Sequence, residues 1–318
     1  MKRHVLISCI CVCLAALALA WGVSPQPSTQ AKVATDTIAL LLDTDIGTTA
    51  AQLKQGAKLA AREQKVDLLT AAPDGGNMTQ GEWMLQLLDK NVKAVVLVPA
   101  QSADLTAAFK KAAEKKVPVI CLGEGAVPDE TVCVISGDER SAGALAAQAL
   151  LDRIEKPGRV LVITGDAGDD AAARRLEGAL EVLQSRENMV IWFQSPLPEK
   201  NAESVLSLTD AHPDANGILA LTGESTELCA QAMARLDRDM CLVGMDCGQN
   251  RTTYLENRQV DAMVLGMPFA MGYLGVQFAV ENHQGKEIPA VYYTESRVID
   301  LDNMYLPENQ KLAFPMLQ

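Results

Sequence analysis

The stretch GRVLVITGDAGDDAAARRLEGAL, residues 158–180, decides the fold class of this chain. Its run Val160–Ile163 is β-branched and leucine-rich, which predicts a strand that is covered on both faces. Gly165 and Gly168 then allow the chain to reverse, and the apolar spacing over residues 171–183 predicts a helix. A strand, a tight turn and a helix in direct succession form the repeating unit of a parallel α/β sheet.

Two arginines fall in the first two turns of this predicted helix. Asp169 is a candidate N-cap, after which the first backbone N–H groups of the helix have no partner inside it. Ligands of an open α/β sheet bind in the crevice beyond the carboxyl ends of the strands. We therefore expect one of Arg174 and Arg175 to face that crevice and the other to face solvent.

The same alternation of strand and helix extends outward over most of the chain. It predicts an α/β fold with parallel sheets and helices on both faces, and the two runs of similar length predict two similar lobes. The tail, residues 302–318, is predicted to be an irregular wrap. The predicted strands are 38–42, 66–71, 94–98, 117–122, 132–136, 160–163, 189–194, 217–221, 240–245 and 262–265, and the further predicted helices are 48–63, 78–90, 103–116, 139–154, 202–211, 225–236, 249–257 and 269–282.

Length and charge narrow the classes of protein. The 318 residues fit two ordinary domains, and the aromatic content of 4% requires a core of aliphatic side chains. The formal charge of -12 argues against a nucleic-acid partner, because such a protein needs a basic face to neutralise phosphates.

The N-terminus predicts export. Residues 1–20 combine the charges of Lys2 and Arg3 with an apolar run over 5–19 and end in Ala18-Leu19-Ala20, which fits a signal cleavage site. The run is short for a spanning helix, yet retention as a membrane anchor stays open. Residues 21–35 then read as a linker. The predicted location is the periplasm or the cell surface.

The remaining composition indicates neither an enzyme nor a metal protein. Nucleotide-binding glycine loops and a GxSxG elbow are missing from the sequence, and only three histidines occur. We therefore expect no catalysis, no cofactor and no metal site. Five cysteines follow the signal, and we expect them to be small buried hydrophobes, with a Cys121–Cys133 bridge left open. The five are Cys121, Cys133, Cys229, Cys241 and Cys247.

Six segments in this order resemble the type I periplasmic sugar-binding proteins of ABC importers, the ribose and galactose group. Besides the opening stretch they are KNVKAVVLVPAQSADL (90–105), AAEKKVPVICLGE (112–124), SGDERSAGALAAQAL (136–150), HPDANGILAL (212–221) and LVGMDCG (242–248). Lactose-repressor-type regulators share this core but carry a DNA-binding helix-turn-helix where this chain has its predicted export signal. The resemblance covers residues 36 to 300 and favours an exported binding protein.

The resemblance implies two Rossmann-like lobes joined by three hinge crossings, near Gly137, Met267-Pro268 and Thr294. The N-terminal lobe would comprise residues 36–137 plus 268–293, and the C-terminal lobe residues 138–267 plus 294–318. A small polar ligand would lie in the cleft, and hinge motion would close the lobes around it.

Three site residues are carried over from matching positions. Arg175 precedes the x-x-Gly of RRLEG and is expected to fork onto hydroxyls or a carboxylate, although a solvated helix arginine is the alternative. Asp246 matches a strand-ending Asp and is expected to accept hydroxyl hydrogen bonds, or else to cap the helix that follows. Asp138 matches a hinge-side residue and could equally cap the helix from Glu139.

The chain also departs from the family pattern. Thr49 and Ala50 stand where stacking aromatics are usual, and Thr222-Gly223 replaces an Asn-Asp pair. The predicted cleft is therefore acidic, with one arginine, and would raise carboxylate pKa values or favour a cationic ligand. The complete predicted ligand-binding set is Asp43, Asp45, Glu124, Asp138, Arg175, Thr222, Glu224 and Asp246.

The predicted function is that of an extracytoplasmic solute-binding protein. It would capture a sugar, amino-sugar or nucleoside as a monomer and deliver it to the membrane subunits of an ABC importer. The alternative is a membrane-anchored receptor that presents its ligand to a sensor kinase or chemoreceptor. Retention of the N-terminal segment would favour the receptor.

Overall fold

The structure is a computed structural model, and it describes residues 35–43, 47–72, 78–100, 104–123, 128–155, 157–166, 168–194, 197–237 and 239–314. The predicted export signal, most of the linker, and the predicted site residues Asp45 and Glu124 lie outside the described residues. Among the residues that the structure describes, no helix combines the length and the apolar character needed to span a bilayer.

Strands and helices alternate as the sequence predicts, with element ends shifted by a few residues. The strands are β1 Thr37–Leu41, β2 Asp67–Ala71, β3 Ala94–Leu97, β4 Val119–Leu122, β5 Cys133–Gly137, β6 Arg159–Ile163, β7 Val190–Gln194, β8 Gly217–Ala220, β9 Cys241–Met245, β10 Ala262–Leu265, β11 Val291–Thr294 and β12 Arg297–Asp300. The α-helices are α1 Gly47–Gln64, α2 Gln80–Asp89, α3 Thr106–Glu114, α4 Glu139–Leu151, α5 Asp170–Gln184, α6 Ala202–Ala211, α7 Gly223–Met233, α8 Arg251–Glu256, α9 Pro268–His283 and α10 Pro307–Ala313, and a 3-10 turn, Gly248–Asn250, precedes α8.

The strands form two six-stranded sheets of identical order. The first is β11-β5-β4-β3-β1-β2 and is parallel throughout, whereas the second is β12-β10-β9-β8-β6-β7 with β12 antiparallel to its neighbour. The predicted α/β fold with two similar lobes is therefore confirmed. We call β1–β5 and β11 with α1–α3 and α9 the first lobe, and the remaining elements the second lobe.

Both sheets are covered on both faces. Each sheet separates two apolar cores. In the first lobe, helices α1 and α9 pack on one face of the sheet, and helices α2 and α3 pack on the other face. Every residue of β3, β4, β8 and β10 is buried, because aliphatic side chains on both faces find helices to pack against. The predicted strand Val160–Ile163 is buried in the same way.

The chain passes between the two sheets at three places. These are the link from β5 to α4, the link from β10 to α9, and the short segment between β11 and β12. They coincide with Gly137, Met267-Pro268 and Thr294. The exact lobe boundaries stay a prediction.

Helices α4 and α5 cross at reciprocal glycines. A Cβ built on Gly143 of α4 would lie 1.9 Å from the carbonyl oxygen of Arg175, and one on Gly178 of α5 would lie 1.9 Å from the carbonyl oxygen of Arg140. Only glycine leaves room for such close backbone contact. This crossing fixes the first turns of α5, and hence Arg175, against the start of α4.

The first lobe repeats this arrangement with helices α1 and α9. Gly56 of α1 lies against the carbonyl of Phe269, and Gly272 of α9 lies against the carbonyl of Leu53. In each lobe the helix that arrives from the other sheet therefore packs by glycines on the helix that follows the lobe's first strand. The two lobes share a packing scheme as well as a strand order.

One sequence prediction needs correction, and one alternative that the sequence left open is decided. The tail is not an irregular wrap throughout, because residues Pro307–Ala313 form α10, which Pro307 can begin since the first helical position needs no backbone donor. All five cysteines that follow the signal are free. A Cys121–Cys133 bridge does not form because these side chains belong to the cores on opposite faces of the first sheet.

Candidate functional site

A cavity of about 310 Å³ lies where the three crossings meet the carboxyl ends of strands in the second sheet. Each crossing contributes to its wall, through Gly137, Met267 and Thr294. Asp246 follows β9 directly, and Arg175 reaches the cavity from α5. This is the position beyond the strand ends at which α/β sheets bind ligands.

The Arg175 guanidinium is held in place by two partners. Its Nε donates to Glu139 at 2.5 Å, and its Nη1 donates to the Leu221 carbonyl, at the end of β8, at 2.9 Å. Only 19% of the Arg175 side chain and 16% of the Glu139 side chain are exposed, so solvent screens this ion pair weakly. The structure gives Nη2 no protein partner within the described residues. That nitrogen can therefore donate to a ligand.

Glu139 is a cavity residue that sequence reasoning missed. It is the first residue of α4, where the helix dipole favours a carboxylate. Gly137 leaves room for it, since a Cβ at Gly137 would lie 2.8 Å from Glu139 Oε1. The sequence signal that could have found it is an acid in the first turn after a crossing, but that signal fits the adjacent Asp138 equally well.

Asp138 serves as the N-cap of α4. Its carboxylate accepts from the Ser141 backbone N–H at 3.0 Å and from the Ser141 hydroxyl at 2.6 Å. These hydrogen bonds hold the pKa of Asp138 below its ordinary value. Asp138 does not line the cavity, so a ligand contact by this residue stays a prediction.

Asp246 lies at the cavity beside a buried arginine. Its Oδ1 accepts from the Gly248 backbone N–H at 2.8 Å, and its Oδ2 lies 2.9 Å from Arg251 Nη2, in a contact that lacks the angle of a hydrogen bond. Burial raises the pKa of Asp246, while the Arg251 charge and the Gly248 hydrogen bond oppose that rise. Arg251, which is 2% exposed, was also missed by the sequence analysis.

Thr222 and Glu224 lie outside this cavity, around a smaller hollow of about 20 Å³. Thr222 caps α7 and exchanges hydrogen bonds with Ser225. Glu224 is exposed and pairs at 3.0 Å with Lys200, which also pairs with Asp166 at 2.8 Å. Ligand contacts by Thr222 and Glu224 stay predictions.

In the first lobe, the neutral side chain of Gln80 holds the carboxyl ends of two strands together. Its buried side chain donates to the carbonyls of Leu42 and Val98 at 3.3 and 2.7 Å and accepts from the Ala100 N–H at 2.9 Å. It thus joins the carboxyl ends of β1 and β3. Asp43 follows Leu42 and is half-buried, but it does not line the cavity.

The described part of the cavity wall holds fewer acids than the cleft that the sequence predicts, and the predicted acids Asp45 and Glu124 lie outside the described residues. Asp246 is the one predicted acid among the described residues that line the cavity. Glu139, which the sequence analysis did not predict, lines it as well. Arg251 lies beside Asp246, and Arg175 lies beside Glu139. The wall is otherwise largely apolar, with thioethers from Met245, Met267 and Met271. No aromatic residue of the described chain lines it. The charges among the described residues of the wall are therefore close to balanced.

Two α/β lobes of the same strand order, joined by three crossings around a cavity, are the architecture of a type I periplasmic binding protein. The family model described as a periplasmic binding protein domain matches residues 23–287. The chain therefore belongs to the periplasmic binding protein domain family.

Curated relatives and solved structures are similar over nearly the same span. The ribose import binding protein RbsB of Escherichia coli K12 is 25% identical over 270 residues, which cover 84% of this chain and 91% of that protein. A solute-binding protein from Actinobacillus succinogenes with bound D-allose has a TM-score of 0.71 at 23% identity, over 84% of this chain and 98% of its own. The arabinose-binding protein AraP of Geobacillus stearothermophilus has a TM-score of 0.77 at 19% identity, over 85% and 98%.

Proposed function

We propose that this protein captures a small polyhydroxylated solute, a sugar or a sugar-like molecule, outside the cytoplasm for an ABC importer. The observation that carries the proposal is the pairing of donor and acceptor at one cavity. Arg175, oriented by Glu139 and the Leu221 carbonyl, offers a charged donor, and Asp246 offers a carboxylate acceptor. A sugar hydroxyl both accepts and donates, so it can use both groups.

The size of the cavity and the relatives support this proposal. A volume of about 310 Å³ suits a small ligand. The curated relatives include ribose import binding proteins, and similar structures hold D-allose and alpha-D-tagatopyranose. Delivery to an importer and action as a monomer are part of the proposal.

The balance of charges favours a neutral sugar over an amino-sugar or another cation. Glu139 pairs with Arg175, and Asp246 lies beside the buried Arg251, so each of these carboxylates already has a positive charge next to it, which weakens its attraction for a cationic ligand. A neutral polyol can bind both kinds of group without leaving a buried charge unpaired. The methionine-lined wall would then contact the less polar face of the ring.

We propose that the protein binds its ligand without catalysing a reaction. The described thiols are poor nucleophiles, because burial raises the pKa of Cys121 and Cys133 to about 11 and that of Cys247 to about 12. A thiol with such a pKa stays protonated at neutral pH. Arg175 and Asp246 can hold a ligand through hydrogen bonds alone.

A thermal-shift panel tests the proposal. Purified protein would be heated with ribose, allose, arabinose, tagatose, glucosamine and a nucleoside. We expect one neutral sugar to raise the melting temperature, because a ligand at 100 times its Kd adds about 2.7 kcal/mol to the free energy of unfolding.

Neighbouring arginines supply the matched variants for this panel. Arg175→Ala should abolish the shift, whereas Arg174→Ala should keep it, because Arg174 does not line the cavity. A melting temperature that no member of the panel moves would contradict sugar binding. A shift that survives in Arg175→Ala would remove Arg175 from the site.

A further inference from the structure

The C-terminal helix α10 belongs to the second lobe by its packing. Leu312 and Ala313 are buried in the apolar core on one face of the second sheet, together with Met304. Arg297 of β12 donates to the Glu308 carbonyl at 3.4 Å and to the Asn309 side chain at 3.3 Å. These contacts hold α10 to the second lobe along most of its length.

The same helix also reaches the first lobe. The Lys311 carbonyl accepts a hydrogen bond from Gln52 Nε2 of α1 at 3.2 Å, and Gln52 is only 3% exposed. The Lys311 ammonium lies 5.5 Å from the centre of the Phe269 ring, at the start of α9. Both contacts join residues of different lobes, and a buried amide that loses its partner incurs a desolvation penalty.

The backbone carbonyl of the next residue, Leu312, is connected to the candidate site through Arg251. Leu312 accepts a hydrogen bond from Arg251 Nη1 at 2.8 Å, and Arg251 Nε donates to the Gly248 carbonyl at 2.7 Å. Arg251 Nη2 lies 2.9 Å from Asp246 Oδ2. One buried guanidinium therefore connects α10 to the carboxylate at the cavity.

We propose that α10 is an interlobe latch, in which the Lys311 carbonyl binds the first lobe while the Leu312 carbonyl fixes Arg251 and thereby positions Asp246 for ligand. Arg251 is a positioning residue in this scheme. Separation of the lobes breaks the bond from Gln52 to Lys311 and loosens the neighbouring Leu312 carbonyl. The state of the cleft is thus coupled to the orientation of Asp246. Only the ligand-binding consequence rests on the function proposed above.

The first experiment tests the latch without ligand. Gln52→Met keeps a long buried side chain but removes the donor to Lys311. We expect amide hydrogen exchange in residues 307–313 to become about fivefold faster, since one hydrogen bond of ordinary strength is lost. The radius of gyration from small-angle X-ray scattering should also rise. Gln277→Met is the matched control, because among the described residues the Gln277 side chain donates to Glu281 of its own helix, α9.

The second experiment tests the coupling to Asp246. The carboxyl pKa of Asp246 would be followed by NMR in protein with labelled aspartate. We expect it to rise in Arg251→Met, which removes the nearby positive charge, and to rise by less in Gln52→Met. It should stay unchanged in Gln277→Met.

Each outcome of these experiments decides a separate point. Unchanged exchange in residues 307–313 together with an unchanged radius of gyration in Gln52→Met would overturn the latch. Faster exchange with an unchanged Asp246 pKa in that variant would overturn the coupling and leave α10 as a tether only. Neither result depends on whether a sugar binds, so failure of the sugar panel and failure of the latch are distinguishable.

Discussion

Two adjacent acids at the first crossing have different tasks. Asp138 caps α4 through Ser141, whereas Glu139 turns into the cavity and binds Arg175. The division follows from helix geometry, because a cap residue precedes the helix and its carboxylate folds back onto the first turn. The next residue is helical and projects toward the neighbouring helix α5. One position along the chain therefore separates a structural carboxylate from a cavity carboxylate.

Conservative amide variants test this division. Glu139→Gln should weaken binding of the panel's best sugar at least tenfold, because Arg175 loses the charge that orients it. Asp138→Asn should leave the affinity within about twofold, because asparagine also caps helices. Titration calorimetry measures both. Equal losses in the two variants would contradict the assignment of Glu139 to the site and of Asp138 to the cap.

At the scale of elements, the site depends on how closely α4 and α5 approach. Gly143 and Gly178 allow each helix to touch the backbone of the other, so the start of α4 and the first turns of α5 meet. Glu139 and Arg175 come into contact as a result. The corresponding pair in the first lobe, α1 and α9, places Gln52 and Phe269 beside α10.

Gly178→Ala should destabilise the protein. Alanine has a helix propensity about 1 kcal/mol better than glycine, which by itself would stabilise α5. The new Cβ would lie 1.9 Å from the carbonyl oxygen of Arg140, and a backbone atom cannot move aside cheaply. Overpacking of this kind costs about 1–3 kcal/mol, so after the gain in helix propensity we expect a net loss of up to about 2 kcal/mol.

Chemical denaturation measures this loss. The control is Ala173→Leu, which adds more volume on an exposed part of the same helix and should change the free energy of unfolding by less than about 0.5 kcal/mol. A more stable Gly178→Ala protein would show that the two helices can separate without loss.

At the scale of the whole molecule, four of the segments that the structure describes join the two lobes. Three are the crossings, which are covalent and surround the cavity. The fourth is α10, which joins them through side-chain contacts that can break and reform. Hinge motion about the crossings would leave the cavity wall connected while it opens or closes the far side. The latch would then set how readily the lobes part.

The fate of residues 1–20 separates an importer component from an anchored receptor. The sequence predicts cleavage after Ala20, so the mature protein should begin at Trp21 and be released in soluble form after export. Intact-mass measurement of protein recovered from membrane and soluble fractions checks this. A full-length form that stays in the membrane fraction would contradict cleavage and favour the receptor.

The sequence determined the alternation of strands and helices, the two-lobed α/β class and the place of Arg175. The alternation and the fold class depend on short-range patterns, such as the buried run Val160–Ile163 and the cap at Asp169, which the structure reproduces, whereas the choice of Arg175 over Arg174 came from resemblance to a family. The three crossings followed from resemblance to a family, and the order of the strands came from the structure. The position of Asp246 at the end of β9 followed in the same way.

The tertiary structure alone decided which polar residues share a cavity. Glu139 and Arg175 are 36 residues apart, and Arg251 meets Leu312 across 61 residues, so their contacts depend on packing that no local pattern encodes. Among the acids that sequence reasoning grouped in one cleft, Glu224 instead pairs with Lys200, 24 residues away along the chain, whereas the bond from Ser141 to Asp138 is a local helix cap, an alternative that the sequence had left open. A charged side chain forms an ion pair or a hydrogen bond with a partner that the fold places beside it. Only the tertiary structure determines which residue that partner is.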